Sequence, residues 1–171
     1  MCHCGKSRVF RHVLHLLVHL AAKFITSPPS DRVNGHILSN PKFSPFFNNC
    51  LGAIDGVHIP ASVPTHQAAA YWNCKGFLSQ NVLGVCDFNM KITYVHVGWE
   101  GTAHDSRVLN DARSLDFMIP SRKFQVTDAG YGLDWGVLVP YQGTRYHLKE
   151  QAAAGQQYFS VVITMRRKFG D

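Results

Sequence analysis

A chain of 171 residues and 19.1 kDa is long enough for one domain with a real core and too short for two ordinary ones. Its 46% hydrophobic and 16% charged residues argue against a disordered or fibrous protein. The net charge of +6 and pI near 9.2 suit an anionic partner such as nucleic acid, and equally a plain basic surface. Nine Asp stand against two Glu, Glu100 and Glu150, so any chemistry that needs a glutamate has two candidates.

At the N-terminus Phe10, Val13, Leu14, Leu17, Ala21 and Phe24 recur at helical spacing, with Arg8, His12, His15, His19 and Lys23 on the other face. This predicts an amphipathic helix. The longest apolar stretch, Val13 to Ala22, is broken by His15 and His19 and is too short to span a membrane, so no membrane partner is expected. The three histidines read as a solvated basic face rather than as ligands. The five cysteines are odd in number and carry no C-x-x-C pair; Cys2-His3-Cys4 has no second pair to complete a zinc site. A reducing compartment fits this usage. Ser27-Pro28-Pro29-Ser30-Asp31 ends the helix, and the stretch to Pro45 reads as an extended connector, so that 1–42 is helix plus connector.

Cys50 to Ile59 is the first strong strand signal, with Leu51, Ala53, Val57 and Ile59 in one alternation phase and Asp55 breaking the run. A carboxylate inside an apolar strand is costly unless it is hydrogen-bonded, paired or bound to a cation. Gly52 and Gly56 beside it permit close approach of a backbone or ligand. Asp-Gly also marks turns, and on this segment alone both readings stand.

Gln80 to Asp87 and Lys91 to Trp99 predict a hairpin through Phe88-Asn89-Met90, with Asp87 as a turn residue. His104 to Leu109 opens a helix that Asp105 or Ser106 is placed to cap. Lys123 to Thr127 gives a fourth strand ending at Asp128-Ala129-Gly130-Tyr131-Gly132, and Val137-Leu138-Val139 a fifth, stopped by Pro140. Three strands, a helix and a strand predict an α/β fold with a mixed sheet, the first three strands antiparallel and the fourth entering after a helical crossover. Ligands in such sheets gather at strand ends. If the first and fourth strands are neighbours, Asp55 and Asp128 converge.

The blocks GAIDGVHI (52–59), KGFLSQNVLGVCDF (75–88), GWEGTAHDSRVL (98–109), DAGYG (128–132) and PYQGTRYHL (140–148) together resemble the nuclease domain of PIF/Harbinger-type DDE transposases and their domesticated relatives. The resemblance runs from about Phe43 to Glu150, with weaker similarity in the preceding helix. Several blocks in order are far more specific than any one motif. The resemblance implies an RNase H-like fold, cutting or joining of DNA, and a nuclear location. It also implies a divalent cation, Mg²⁺ or Mn²⁺, held by hard oxygen ligands, in a chemistry where two ions about 3.5–4 Å apart serve phosphoryl transfer. By the same resemblance Asp55 and Asp128 match the first two acids and are the catalytic metal ligands. Asp105 supplies a further ligand or orients the site, and equally suits a helix cap. His104 and Arg107 contact phosphate or hold the helix start, and His58 stands behind the ligands or simply packs.

Two departures accompany the match. The family's third acid is a Glu on a later helix, after a segment like F-N-x-x-H-x-x-x-R-x-x-I-E, and nothing after Glu150 reads that way. Glu150 precedes the expected helix and Glu100 belongs to another block, so neither is assigned that role. Cys74 stands where the family carries a basic residue, and the family's long N-terminal helical DNA-binding region is not matched. The partners that the resemblance implies are DNA and a separate DNA-binding partner protein. The sequence thus reads as 43–150, a partial nuclease domain truncated at its C-terminus, followed by a divergent basic tail, 151–171, with Arg166-Arg167-Lys168. Two functions follow: a metal-dependent DNA endonuclease, or a catalytically inactive remnant that keeps the fold and metal or DNA/protein binding.

Overall fold

In a computed structural model of the chain, which describes residues 3–140, the apolar runs of 50–100 build the sheet. Strand β1 is Cys50–Pro60, β2 Ser79–Cys86 and β3 Ile92–Glu100. β2 and β3 pair antiparallel, Leu83 opposite His96 and Val85 opposite Tyr94. Asp87 sets the turn between them, its Oδ1 accepting from the backbone N–H of Asn89 (2.8 Å) and of Lys91 (3.0 Å). This is the Asx geometry expected of an aspartate at that place.

β1 pairs antiparallel with β2, Asp55 opposite Gly84, and parallel with β4, Phe124–Val126. The two-residue β5, Val137–Leu138, extends the sheet parallel to β4. The strand order is therefore β3-β2-β1-β4-β5, a mixed sheet of the kind the element order predicts. Between β3 and β4 the chain crosses over through helix α4, Asp105–Leu115. Val108, Leu109 and Ala112 lie on one side of α4 and are buried with Ile54, Leu83 and Val85 of the sheet. The spacing of these three is helical, and burying each aliphatic side chain stabilises by roughly 1.5–3 kcal/mol.

The structure settles one open reading and departs from the sequence reading at three places. Asp55 lies inside β1, which ends at Pro60, one residue past the expected Ile59. The antiparallel ladder with β2 holds its backbone from Ala53 to Pro60, and its buried stretch runs without alternation from Gly52 to Asp55, as in a central strand covered on both faces. The connector contains a one-turn helix α2, Gly35–Leu38, where Asn34 accepts from the His36 N–H (2.9 Å) and Ile37 is fully buried. One turn is too short for periodicity to reveal. A 3-10 turn at Thr65–Gln67 and a short helix α3, Ala68–Tyr71, link β1 to β2. The N-terminal helix α1, His3–Phe24, forms as expected, but its apolar stripe of Phe10, Val13, Leu14, Leu17 and Phe24 remains 47–75% exposed. Among the described residues no helix is long and apolar enough to cross a membrane. Cys2, the block following Pro140, Glu150 and the tail 151–171 with Arg166, Arg167 and Lys168 lie outside the described residues.

Candidate functional site

The register of β1 and β4 positions two acids. Ala53 is paired with Val126 across the parallel ladder, and both belong to one apolar cluster with Cys86. Asp55 lies two residues beyond Ala53, and Asp128 two residues beyond Val126. Two steps along an extended chain return to the same face, and Asp128 is still extended (φ −79°, ψ 175°). β4 has ended by then while β1 runs on, so each acid follows the last pair of the ladder by two residues, where the ladder opens. Openings of this kind at the carboxyl ends of parallel strands are where ligands bind in α/β sheets.

Asp55 is 7% exposed. Its Oδ1 accepts from the next backbone N–H, that of Gly56, at 2.9 Å. It sits inside a strand, so the turn reading of Asp-Gly does not hold here. Asp128 precedes a 3-10 turn, Ala129–Tyr131, and its Oδ1 accepts from the Gly130 N–H at 2.9 Å.

Asp105 reaches β1 from the helix layer. It is the first residue of α4, the cap position being His104, whose side chain makes no capping bond. The expectation that Asp105 or Ser106 caps the helix is thereby corrected. The Asp105 carboxylate turns across to β2, where Asn81 Nδ2 donates to its Oδ1 at 2.7 Å and to the Ala103 carbonyl at 2.9 Å. The approach requires a glycine opposite: a Cβ on Gly56 would lie 2.3 Å from Asp105 Oδ1.

Tyr131 lies within electrostatic reach of all three acids. It is 5% exposed, and its hydroxyl has no hydrogen-bond partner among the described residues. Burial pushes its ionisation well above the ordinary phenol range, and the charges of Asp105, Asp55 and Asp128 push the same way. The hydroxyl therefore keeps its proton and is a donor. Asn81 Oδ1 is likewise buried without a partner among the described residues.

Among the described residues no group of three or more His, Cys, Asp and Glu side chains is arranged to hold a metal ion alone. The donor chemistry nevertheless fits a hard cation. Mg²⁺ retains waters and needs only one or two protein carboxylates when phosphate oxygens complete its shell. The buried Asn81 oxygen and the bare backbone at Gly56 lie beside Asp105, and the orphaned Tyr131 hydroxyl lies within electrostatic reach of all three acids.

The other sequence candidates are spread around this point. His58 Nδ1 is 3.1 Å from Ser79 Oγ, which also accepts from Asn73 Nδ2 at 2.8 Å, so this histidine is tied into β2. His104 is exposed. The Arg107 guanidinium lies over the Trp99 ring, 5.0 Å from its centroid. Glu100 pairs with Gln80 at the end of the hairpin. Cys50, Cys74 and Cys86 are free thiols; burial pushes Cys50 up to about 12 and Cys86 up to about 11. Sequence reasoning passed over Asn81, Tyr131 and Asp111. Asp111 Oδ2 takes hydrogen bonds from the Trp99 indole (2.8 Å) and His96 Nε2 (2.8 Å). Asn81 had a signal: a polar residue in phase with Leu83 and Val85, both of which are buried.

The family described as DDE superfamily endonuclease matches residues 54–170. The chain belongs to this family. The match opens within β1, next to Asp55, and takes in the rest of that strand, β2 to β5 and α4. The transposase-nuclease resemblance drawn from the sequence blocks is borne out. Two similar proteins bear the name "Putative nuclease HARBI1". That of Rattus norvegicus is 26% identical over 137 residues, 78% of this chain and 39% of its own length. That of Homo sapiens is 29% identical over 107 residues, 62% of this chain and 30% of its own length. The chain thus spans well under half of these relatives. No solved structure matches.

Proposed function

We propose that this chain is the divalent-metal-dependent DNA endonuclease domain of a Harbinger-type DDE transposase or a domesticated derivative, with an RNase H-like fold. Asp55 and Asp128 are its catalytic pair and hold Mg²⁺ or Mn²⁺, with Asp105 as a further ligand or orienting group. The observation that carries this reading is the register that sets Asp55 and Asp128 two residues beyond the paired Ala53 and Val126. Membership of an endonuclease family supports it. When bound, the cation supplies a nucleophilic water at neutral pH and neutralises charge on the phosphoryl oxygens. The Asp55 and Asp128 carboxylates bind and orient. The Tyr131 hydroxyl holds its proton for donation to a carboxylate or phosphate oxygen. His104 and Arg107, exposed at the start of α4, contact the DNA backbone. A nuclear location and a separate DNA-binding partner protein complete this reading.

The test is nicking of supercoiled plasmid by the purified chain with Mg²⁺ or Mn²⁺, alongside Asp55→Ala and Asp128→Ala. Metal-dependent nicking lost in both variants is the expected result; nicking untouched by either substitution rejects the assignment. A second reading is an inactive remnant that still binds metal or DNA. Mn²⁺ binding without nicking selects it.

A further inference from the structure

We infer that Asn81 is a positioning residue for the candidate metal site: its side-chain amide aims the Asp105 carboxylate across the bare backbone of Gly56. The inference rests on the reading above, in which Asp105 serves the cation.

Asn81 is 1% exposed, on β2, opposite His58 of β1. A buried amide must spend both of its N–H groups, and here both go to the start of α4, one to the Ala103 carbonyl and one to Asp105 Oδ1. The orientation of the amide follows from the chemistry. Both neighbours are oxygens, so turning the Asn81 oxygen toward them would set acceptor against acceptor. One bond ties down the backbone just before the helix, and the other fixes the direction of the carboxylate. No described hydrogen bond ends on Asp105 Oδ2, which remains for a ligand.

Gly56 completes the device. A Cβ at that position would sit 2.3 Å from Asp105 Oδ1, 2.8 Å from its carboxyl carbon and 3.2 Å from Asn81 Oδ1. The carboxylate thus rests where the strand has no side chain, one residue on from Asp55. A tether for the helix would need the Ala103 bond alone. The charge-assisted second bond, the stronger kind, matters only if the direction of Asp105 matters.

The test is Mn²⁺ affinity, read by titration calorimetry and by the EPR signal of free Mn²⁺, on the full chain and on Asp55→Asn, Asp105→Asn, Asn81→Ala and the Asn81→Ala/Asp105→Asn double variant. Groups that orient a metal ligand typically contribute 10- to 100-fold in affinity. Asn81→Ala is therefore expected to weaken Mn²⁺ about 10-fold in the wild-type background and to add nothing once Asp105 is Asn, since it acts through that carboxylate. An Asn81→Ala variant with wild-type affinity overturns the inference. So does one that weakens binding by the same factor in both backgrounds. In either case loss of Mn²⁺ in Asp55→Asn leaves the reading of the site standing. A wild-type chain that takes up no Mn²⁺ removes that reading and the inference with it. Should Asn81→Ala fail to fold, Gly56→Ala decides: it keeps the amide but displaces the carboxylate, and unchanged Mn²⁺ affinity in it overturns the inference.

Discussion

Asp55, within β1, and Asp128, at the head of the turn that follows β4, each stand two residues past the paired Ala53 and Val126. The last pair of the ladder therefore brings the two chain segments together just before the acids. Removal of either carboxylate is expected to act on the same step. Asp55→Asn and Asp128→Asn each lower plasmid nicking by at least about 100-fold, the scale of losing one preorganised charged group. The double variant is no worse than either single, as for residues that work as a unit. Nicking rates under saturating Mn²⁺ check this, and multiplicative losses would contradict it.

Metal binding to the folded chain raises its melting temperature by mass action. At Mn²⁺ one hundredfold above Kd the gain is about 2.7 kcal/mol, worth roughly 5–10 °C for a domain of this size. Differential scanning fluorimetry with and without EDTA measures the shift, which vanishes in the Asp55→Asn/Asp128→Asn double variant.

Gly52 lies where the β1–β4 register shifts, and a Cβ there would stand 1.8 Å from the Cys86 carbonyl oxygen and 2.8 Å from its carbon. Backbone cannot retreat as a side chain does. Gly52→Ala is expected to destabilise the fold by about 3 kcal/mol or more, at the upper end of overpacking costs. Urea unfolding followed by circular dichroism reads the loss, and a change below about 1 kcal/mol would show that β1 and β2 separate easily at that point.

Asp111 joins α4 to β3. Hydrogen bonds from His96 and then Trp99 hold its carboxyl below the usual carboxylate range, with the charges on His96 and Arg107 adding to the effect. A pKa depressed in the folded state stabilises at pH above the unfolded value of about 3.9 and loses that contribution as pH falls through the folded value. The melting-temperature gap between wild type and Asp111→Asn is therefore greatest at neutral pH and shrinks below about pH 4. A gap that widens on acidification would refute the assignment of these bonds.

Much of this molecule was legible from local pattern. Alternation in 80–86 and 92–99 marks the hairpin, the turn chemistry of Asp87 marks its corner, and His104 to Leu109 marks the opening of α4. The ordered blocks point to the DDE endonuclease family and to Asp55, Asp105 and Asp128 before any coordinates. These signals are periodicities and turn preferences, which act over a few residues and are therefore written in the chain itself. Tertiary structure alone decided between the strand and turn readings of Asp55-Gly56, because the bonds that carry β1 through Asp55 come from β2 rather than from its own residues. It also decided that Asp105 answers to Asn81 across the sheet instead of capping its helix, since the partner of a buried polar group is chosen by which distant segment packs beside it.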